Sequence, residues 1–92
     1  MKRNYENNLK AKLVDELDLP KDLYLGCPLQ TLSGNREMLI ENYRGILIYT
    51  REVVLVQAKT IRIRIEGKNL VIQYYTNDEM KISGIIKRII YE

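Results

Sequence analysis

Met38-Leu39-Ile40-Glu41-Asn42-Tyr43-Arg44-Gly45-Ile46-Leu47-Ile48-Tyr49 reads as a strand, a tight polar corner and a second strand. Asn and Gly tolerate the backbone angles of a turn, and β-branched and aromatic residues flank them on both sides. From Leu29 to the C-terminus the same patterning recurs, so the fold class expected is mainly β. Within it, the corner is expected to set the register of one hairpin, with Gly45 permitting the return.

Working outward, strands are expected at about 29–33, 37–42, 45–50, 52–58, 60–66, 69–76, 79–83 and 85–91. Ser33-Gly34-Asn35, Glu66-Gly67-Lys68-Asn69, Thr76-Asn77-Asp78 and Ser83-Gly84 supply the punctuation. Connections this short favour antiparallel neighbours, hence a small β-meander of about seven to eight short strands forming a sandwich or barrel. Thr60-Ile61-Arg62-Ile63-Arg64-Ile65-Glu66 alternates most cleanly, with isoleucines toward a core and charges toward water. Ile46–Tyr49, Val53–Val56, Leu70–Tyr75 and Ile85–Ile90 are apolar on both faces and need a second cover. The last of these would expose Ile85, Ile86, Ile89 and Ile90 as a long apolar edge, which predicts pairing across a subunit boundary and a homo-oligomer.

The chain before this domain has a different period. Tyr5, Leu9, Leu13 and Leu17 recur every four residues, predicting an N-terminal amphipathic helix within 1–18. Pro20 ends it, and 19–28 forms a connector into the β domain at 29–92. Lys2, Arg3, Lys10 and Lys12 crowd the first half of the helix, while Asp15, Glu16 and Asp18 close it, against its dipole. A frayed first turn explains this; docking of the basic half on an acidic partner or an anionic lipid surface is the alternative.

Composition narrows the function classes. Ninety-two residues make a single domain. Net charge is +3, a mixed surface with less basic excess than dedicated nucleic-acid binders carry. Seven tyrosines with no Phe and no Trp place aromatic rings at the edge of an aliphatic core or at an interface. Residues 1–18 contain no long apolar run, so no secretory signal is expected, and no stretch of about twenty apolar residues spans a membrane.

There is no histidine, which removes the usual general base and the commonest metal ligand. The lone Cys27, between Gly26 and Pro28, cannot form an intrachain disulfide and reads as an inert thiol. Gly26, Gly34, Gly45, Gly67 and Gly84 are spread one per turn and build no phosphate loop. Ser33 and Ser83 have no base to activate them, and the carboxylates are scattered. No catalytic, cofactor or metal residue is expected, and the chain reads as a non-enzyme.

One surface has binding character. Arg62 and Arg64, with Lys68 at the strand end and Tyr74 and Tyr75 on the strand expected beside it, could follow a phosphate backbone and stack bases. A solvated outer face with charge pairing to Glu66 or Glu79 accounts for the same residues. A nucleic-acid-binding module is therefore the alternative function.

Leu17-Asp18-Leu19-Pro20-Lys21-Asp22, Pro28, Gly34, Ile40–Ile46, Gly67-Lys68-Asn69-Leu70-Val71-Ile72 and Ile82-Ser83-Gly84-Ile85, taken in order, resemble the YabP/YqfC family of sporulation proteins. The leucine-aspartate-leucine-proline connector is more similar to the YqfC branch. The resemblance runs from about residue 15 to the C-terminus, with Tyr43 standing where the family often has His. It implies a protein of the mother-cell cytoplasm in an endospore-forming bacterium, at most peripheral at the forespore membrane and needed for normal spore development. It also implies a functional neighbour, the membrane-associated sporulation protein YqfD, and action through protein–protein contacts. The family carries no established catalytic activity and no catalytic residues to place here, and no cofactor is expected.

Overall fold

Six strands organise residues 26–92, which the computed structural model describes: β1 Leu29–Ser33, β2 Glu37–Glu41, β3 Gly45–Tyr49, β4 Val53–Gln57, β5 Arg62–Tyr75 and β6 Glu79–Tyr91. The helix expected within 1–18 and most of the connector expected over 19–28 lie outside the described residues. All neighbours are antiparallel, in one open sheet of order β1-β2-β6-β5-β4-β3.

The strand count differs from the expected seven to eight because two anticipated turns are not turns. Gly67 lies inside β5 and Gly84 inside β6, at register shifts where the strands bend but keep pairing. A Cβ on Gly67 would sit 2.0 Å from the Ile85 carbonyl oxygen, and one on Gly84 2.6 Å from that of Asn69. Glycine is required at both positions because the partner backbone occupies the space of a side chain. Gly84 also adopts φ of +133°, closed to L side chains.

The meander is also corrected. The Ile40–Ile46 segment is not a hairpin: β2 pairs with β6, and β3 pairs with β4. At the corner the Asn42 amide donates to the Asp78 carbonyl (2.8 Å), while the Arg44 amide donates to that of Gln57 (2.7 Å). Asn42 takes the left-handed conformation, φ 64°, that asparagine tolerates well. The two sides of the corner therefore belong to different parts of the sheet, and the chain crosses between them.

Two Thr-led turns are built alike. The Thr50 hydroxyl accepts from the amides of Glu52 and Val53, and the Thr76 hydroxyl from those of Asp78 and Glu79. These side chains satisfy amides that the ladder leaves open and fix the β3–β4 and β5–β6 reversals.

The core draws Met38 and Ile40 from β2, Val54 and Val56 from β4, Ile63, Ile65 and Leu70 from β5, and Met80, Ile82 and Ile86 from β6. A flat single layer leaves both faces to solvent. β3 and the second half of β5 share no ladder yet are joined by the Ile72 amide donating to the Tyr49 hydroxyl (3.0 Å), so the sheet curls over itself, bending where the glycines let β5 and β6 approach. The alternation expected around Ile63 is present: Ile63 and Ile65 are buried and Arg62 is exposed.

Candidate functional site

Curling brings two strand edges near each other without pairing them: β3, the last strand in the order, and the second half of β5 beyond its bend. Tyrosine hydroxyls bridge the gap. The Ile72 amide donates to the Tyr49 hydroxyl (3.0 Å), and the Tyr43 hydroxyl donates to the Thr76 carbonyl. Backbone groups on the β5 edge are thus held by side chains in place of a neighbouring strand.

Between the two edges lies a groove of about 680 Å³. Tyr43, Arg44, Gly45, Ile46 and Tyr49 form one wall, and Ile72, Tyr75, Thr76 and Asn77 the other. Ile46 and Ile72 anchor the floor by packing against the core, whereas Tyr75 is 67% exposed. Arg44 is exposed, is the one formally charged side chain on these walls, and makes no ion pair with a described residue. Desolvation, followed by the nearby Tyr75 and Asp78, pushes the Tyr43 phenol above its ordinary value of 10.0, so it stays a neutral donor at physiological pH.

This groove can bind but has little chemistry. Its walls offer phenols, a guanidinium, the Thr76 hydroxyl, the Asn77 amide and backbone groups, with no carboxylate or imidazole to move a proton. Among the described residues no group of His, Cys, Asp or Glu side chains is arranged to hold a metal ion.

Of the residues anticipated from sequence, Tyr75 alone lines this groove, and the rest are placed elsewhere. Arg62 donates to the Gln57 side chain (3.0 Å), and Arg64 pairs with Glu92 (3.0 Å). Lys68 is exposed at the bend. Because 66–69 continues the strand, Tyr74 and Tyr75 lie further along β5 and not across from the arginines. Tyr75 lines the main groove, while Tyr74 joins Leu39 and Lys81 in a smaller one of about 230 Å³. The four isoleucines are divided as well: Ile86 is buried in the core, Ile89 packs against it, Ile85 is half-buried and Ile90 is exposed.

Tyr43, Arg44, Tyr49 and Ile72 were not anticipated as a site. The signal for them was the tyrosine-only aromatic set, since a phenol near a strand edge can hold a backbone group where Phe cannot. Tyr91 uses its phenol differently, donating to the Gln30 side chain (3.1 Å).

The sequence profile of the YabP family matches residues 29–92, which is the whole β domain. The chain is also 33% identical over 86 residues to "Uncharacterized protein YqfC" of Bacillus subtilis (strain 168), covering 94% of this chain and 92% of that protein. No solved structure matches it at a significant level.

Proposed function

The chain belongs to the YabP family, and from that premise we propose that it is a non-enzymatic sporulation protein acting through protein–protein contacts in the mother cell. The observation that carries the contact role is the edge strand β3. Its Leu47, Ile48 and Tyr49 are 50%, 40% and 50% exposed, on a strand with one unpaired edge. Apolar side chains beside open backbone groups form a surface that natural sheets ordinarily blunt with charge, so its retention favours a bound partner.

The reading extends to a cytoplasmic location, at most peripheral at the forespore membrane, with the membrane-associated YqfD as the partner to test first. Among the described residues no helix is long and apolar enough to cross a membrane. A homo-oligomer is part of the same reading, supported by Ile90 and Tyr91 exposed at the end of β6 and Leu29 and Leu32 exposed on β1.

The test is co-purification of tagged protein from sporulating cells, comparing the wild type with Leu47→Lys at matched abundance. The reading expects a stoichiometric partner that the substitution removes. Identical partner profiles would overturn it.

A further inference from the structure

We propose that the groove between β3 and the second half of β5 receives an extended segment of a partner protein, which enters as an added strand and places a carboxylate on Arg44. The inference deepens the contact reading above and rests on it. It specifies where the contact is made and what chemistry the partner brings.

Three observations support it. First, each wall of the groove includes a strand edge, β3 on one side and the end of β5 on the other, with Tyr43-Arg44 and Thr76-Asn77 continuing them. Ile72 points its amide away from β6 and into the gap, where the Tyr49 hydroxyl accepts it, and the Thr76 carbonyl is held by the Tyr43 hydroxyl. An incoming strand can supply the same partners from its own backbone, so the phenols act as placeholders. Second, the spacing suits one strand. Paired neighbours lie about 4.8 Å apart, and a gap that takes one more strand needs about twice that. No Cα of β3 lies within 8 Å of a Cα of β5, which is beyond direct pairing, while the Tyr49 hydroxyl spans the gap to the Ile72 amide. Third, the Arg44 charge has no ionic partner among the described residues, and Asp78, although it acts on the Tyr43 phenol, does not line the groove. A guanidinium on the wall of a largely aromatic and aliphatic groove selects a carboxylate, supplied by an acidic side chain of the inserted segment. Ile46, Ile72 and Tyr75 offer apolar surface to the partner's alternate side chains.

The test uses the full chain and a random heptapeptide library displayed on phage. Wild-type protein is expected to enrich peptides with alternating apolar residues, at least one carboxylate and no internal proline. Arg44→Glu is expected to lose those peptides and to weaken a synthetic version of the wild-type winner about tenfold or more. Tyr49→Phe removes the hydroxyl that competes for the Ile72 amide and keeps the ring, so the same peptide should bind about two- to fivefold tighter. In an amide correlation spectrum the peptide should shift Ile72 and Gly45 first.

An acidic consensus unaffected by Arg44→Glu overturns the proposal, as does the absence of any enriched consensus. Weaker binding to Tyr49→Phe, or peptide-induced shifts confined to β1 and β6, refutes the placeholder geometry. Concentration-dependent broadening of the groove amides without peptide would assign the groove to a second copy of this chain and also refutes it. A partner that co-purifies through Leu47 while the library fails would leave the contact reading standing and remove this groove alone.

Discussion

Gly67→Ala probes the feature on which the architecture depends, the close crossing of β5 and β6. The new Cβ would lie 2.0 Å from the Ile85 carbonyl oxygen, 3.0 Å from its carbonyl carbon and 3.2 Å from Ile86 Cα. These are backbone atoms of a paired strand, so no rotamer change relieves the clash. β6 must move away, weakening the ladder around Gly67↔Ile86 and Lys68↔Ile85 and lifting Ile86 from the core. Overpacking of this kind costs about 1–3 kcal/mol. One or two weakened backbone hydrogen bonds add about 1 kcal/mol each. Alanine recovers about 0.4–1 kcal/mol by restricting the unfolded chain. The net expectation is a destabilisation of about 1–5 kcal/mol. Urea unfolding followed by circular dichroism measures it as a lower midpoint at unchanged slope. Gly45→Ala is the control, because a Cβ there meets nothing within 4 Å, and a change within about 0.5 kcal/mol is expected. If Gly67→Ala is equally silent, the two backbones do not cross closely and the bend is wrong.

Further outcomes follow from the same structure. Ile63, fully buried at the centre of the core, should lose about 2–5 kcal/mol on truncation to Ala; a loss well under 1 kcal/mol would mean that the face assignment of β5 is mistaken. Tyr43 gives a pH signature. Its folded-state pKa lies above the unfolded value near 10.0, so its contribution is fully present below that value and is lost as pH rises from there through the folded pKa. Tyr43→Phe should therefore show a shallower fall in urea midpoint than wild type as pH rises above about 10, and parallel curves there would refute the assigned environment. Light scattering at micromolar concentration should detect an assembly larger than one chain, and a strict monomer throughout that range would eliminate the oligomer.

What could be read from the residues alone followed how local each signal is. The alternation of Ile63 and Ile65 with Arg62 and Arg64 is a property of one strand, and its faces are as expected. The Thr76-Asn77-Asp78 turn was legible for the same reason, since its side chain bonds lie within four residues. Gly67 and Gly84 misled because a glycine needed for positive φ in a turn and one needed for a close crossing look the same in sequence. Only the crossing partner distinguishes them, and Ile85 and Asn69 are distant along the chain.

The corner at Asn42–Arg44 was misread as a hairpin on similar grounds. Its composition specifies a reversal, but the pairing of β2 with β6 depends on Met38↔Ile82 and Ile40↔Met80, which are long-range contacts. The groove was the least legible part. Tyr43 meets Thr76 and Tyr49 meets Ile72 only after the sheet has curled, so no spacing rule connects them. The basic face expected from Arg62, Arg64, Lys68, Tyr74 and Tyr75 depended on a turn at 66–69, and it dispersed when that turn proved to be continuous strand.

The claim at the centre of this account is that the exposed edge of β3 is a working contact surface. Counting heat-resistant spores in a strain whose own copy carries Leu47→Lys tests it most directly. Half-exposed in the free protein, Leu47 should accept lysine with a stability change within about 0.5 kcal/mol. The account predicts normal protein levels and a spore count as low as that of the deletion strain. Wild-type spore counts from the folded variant would contradict it.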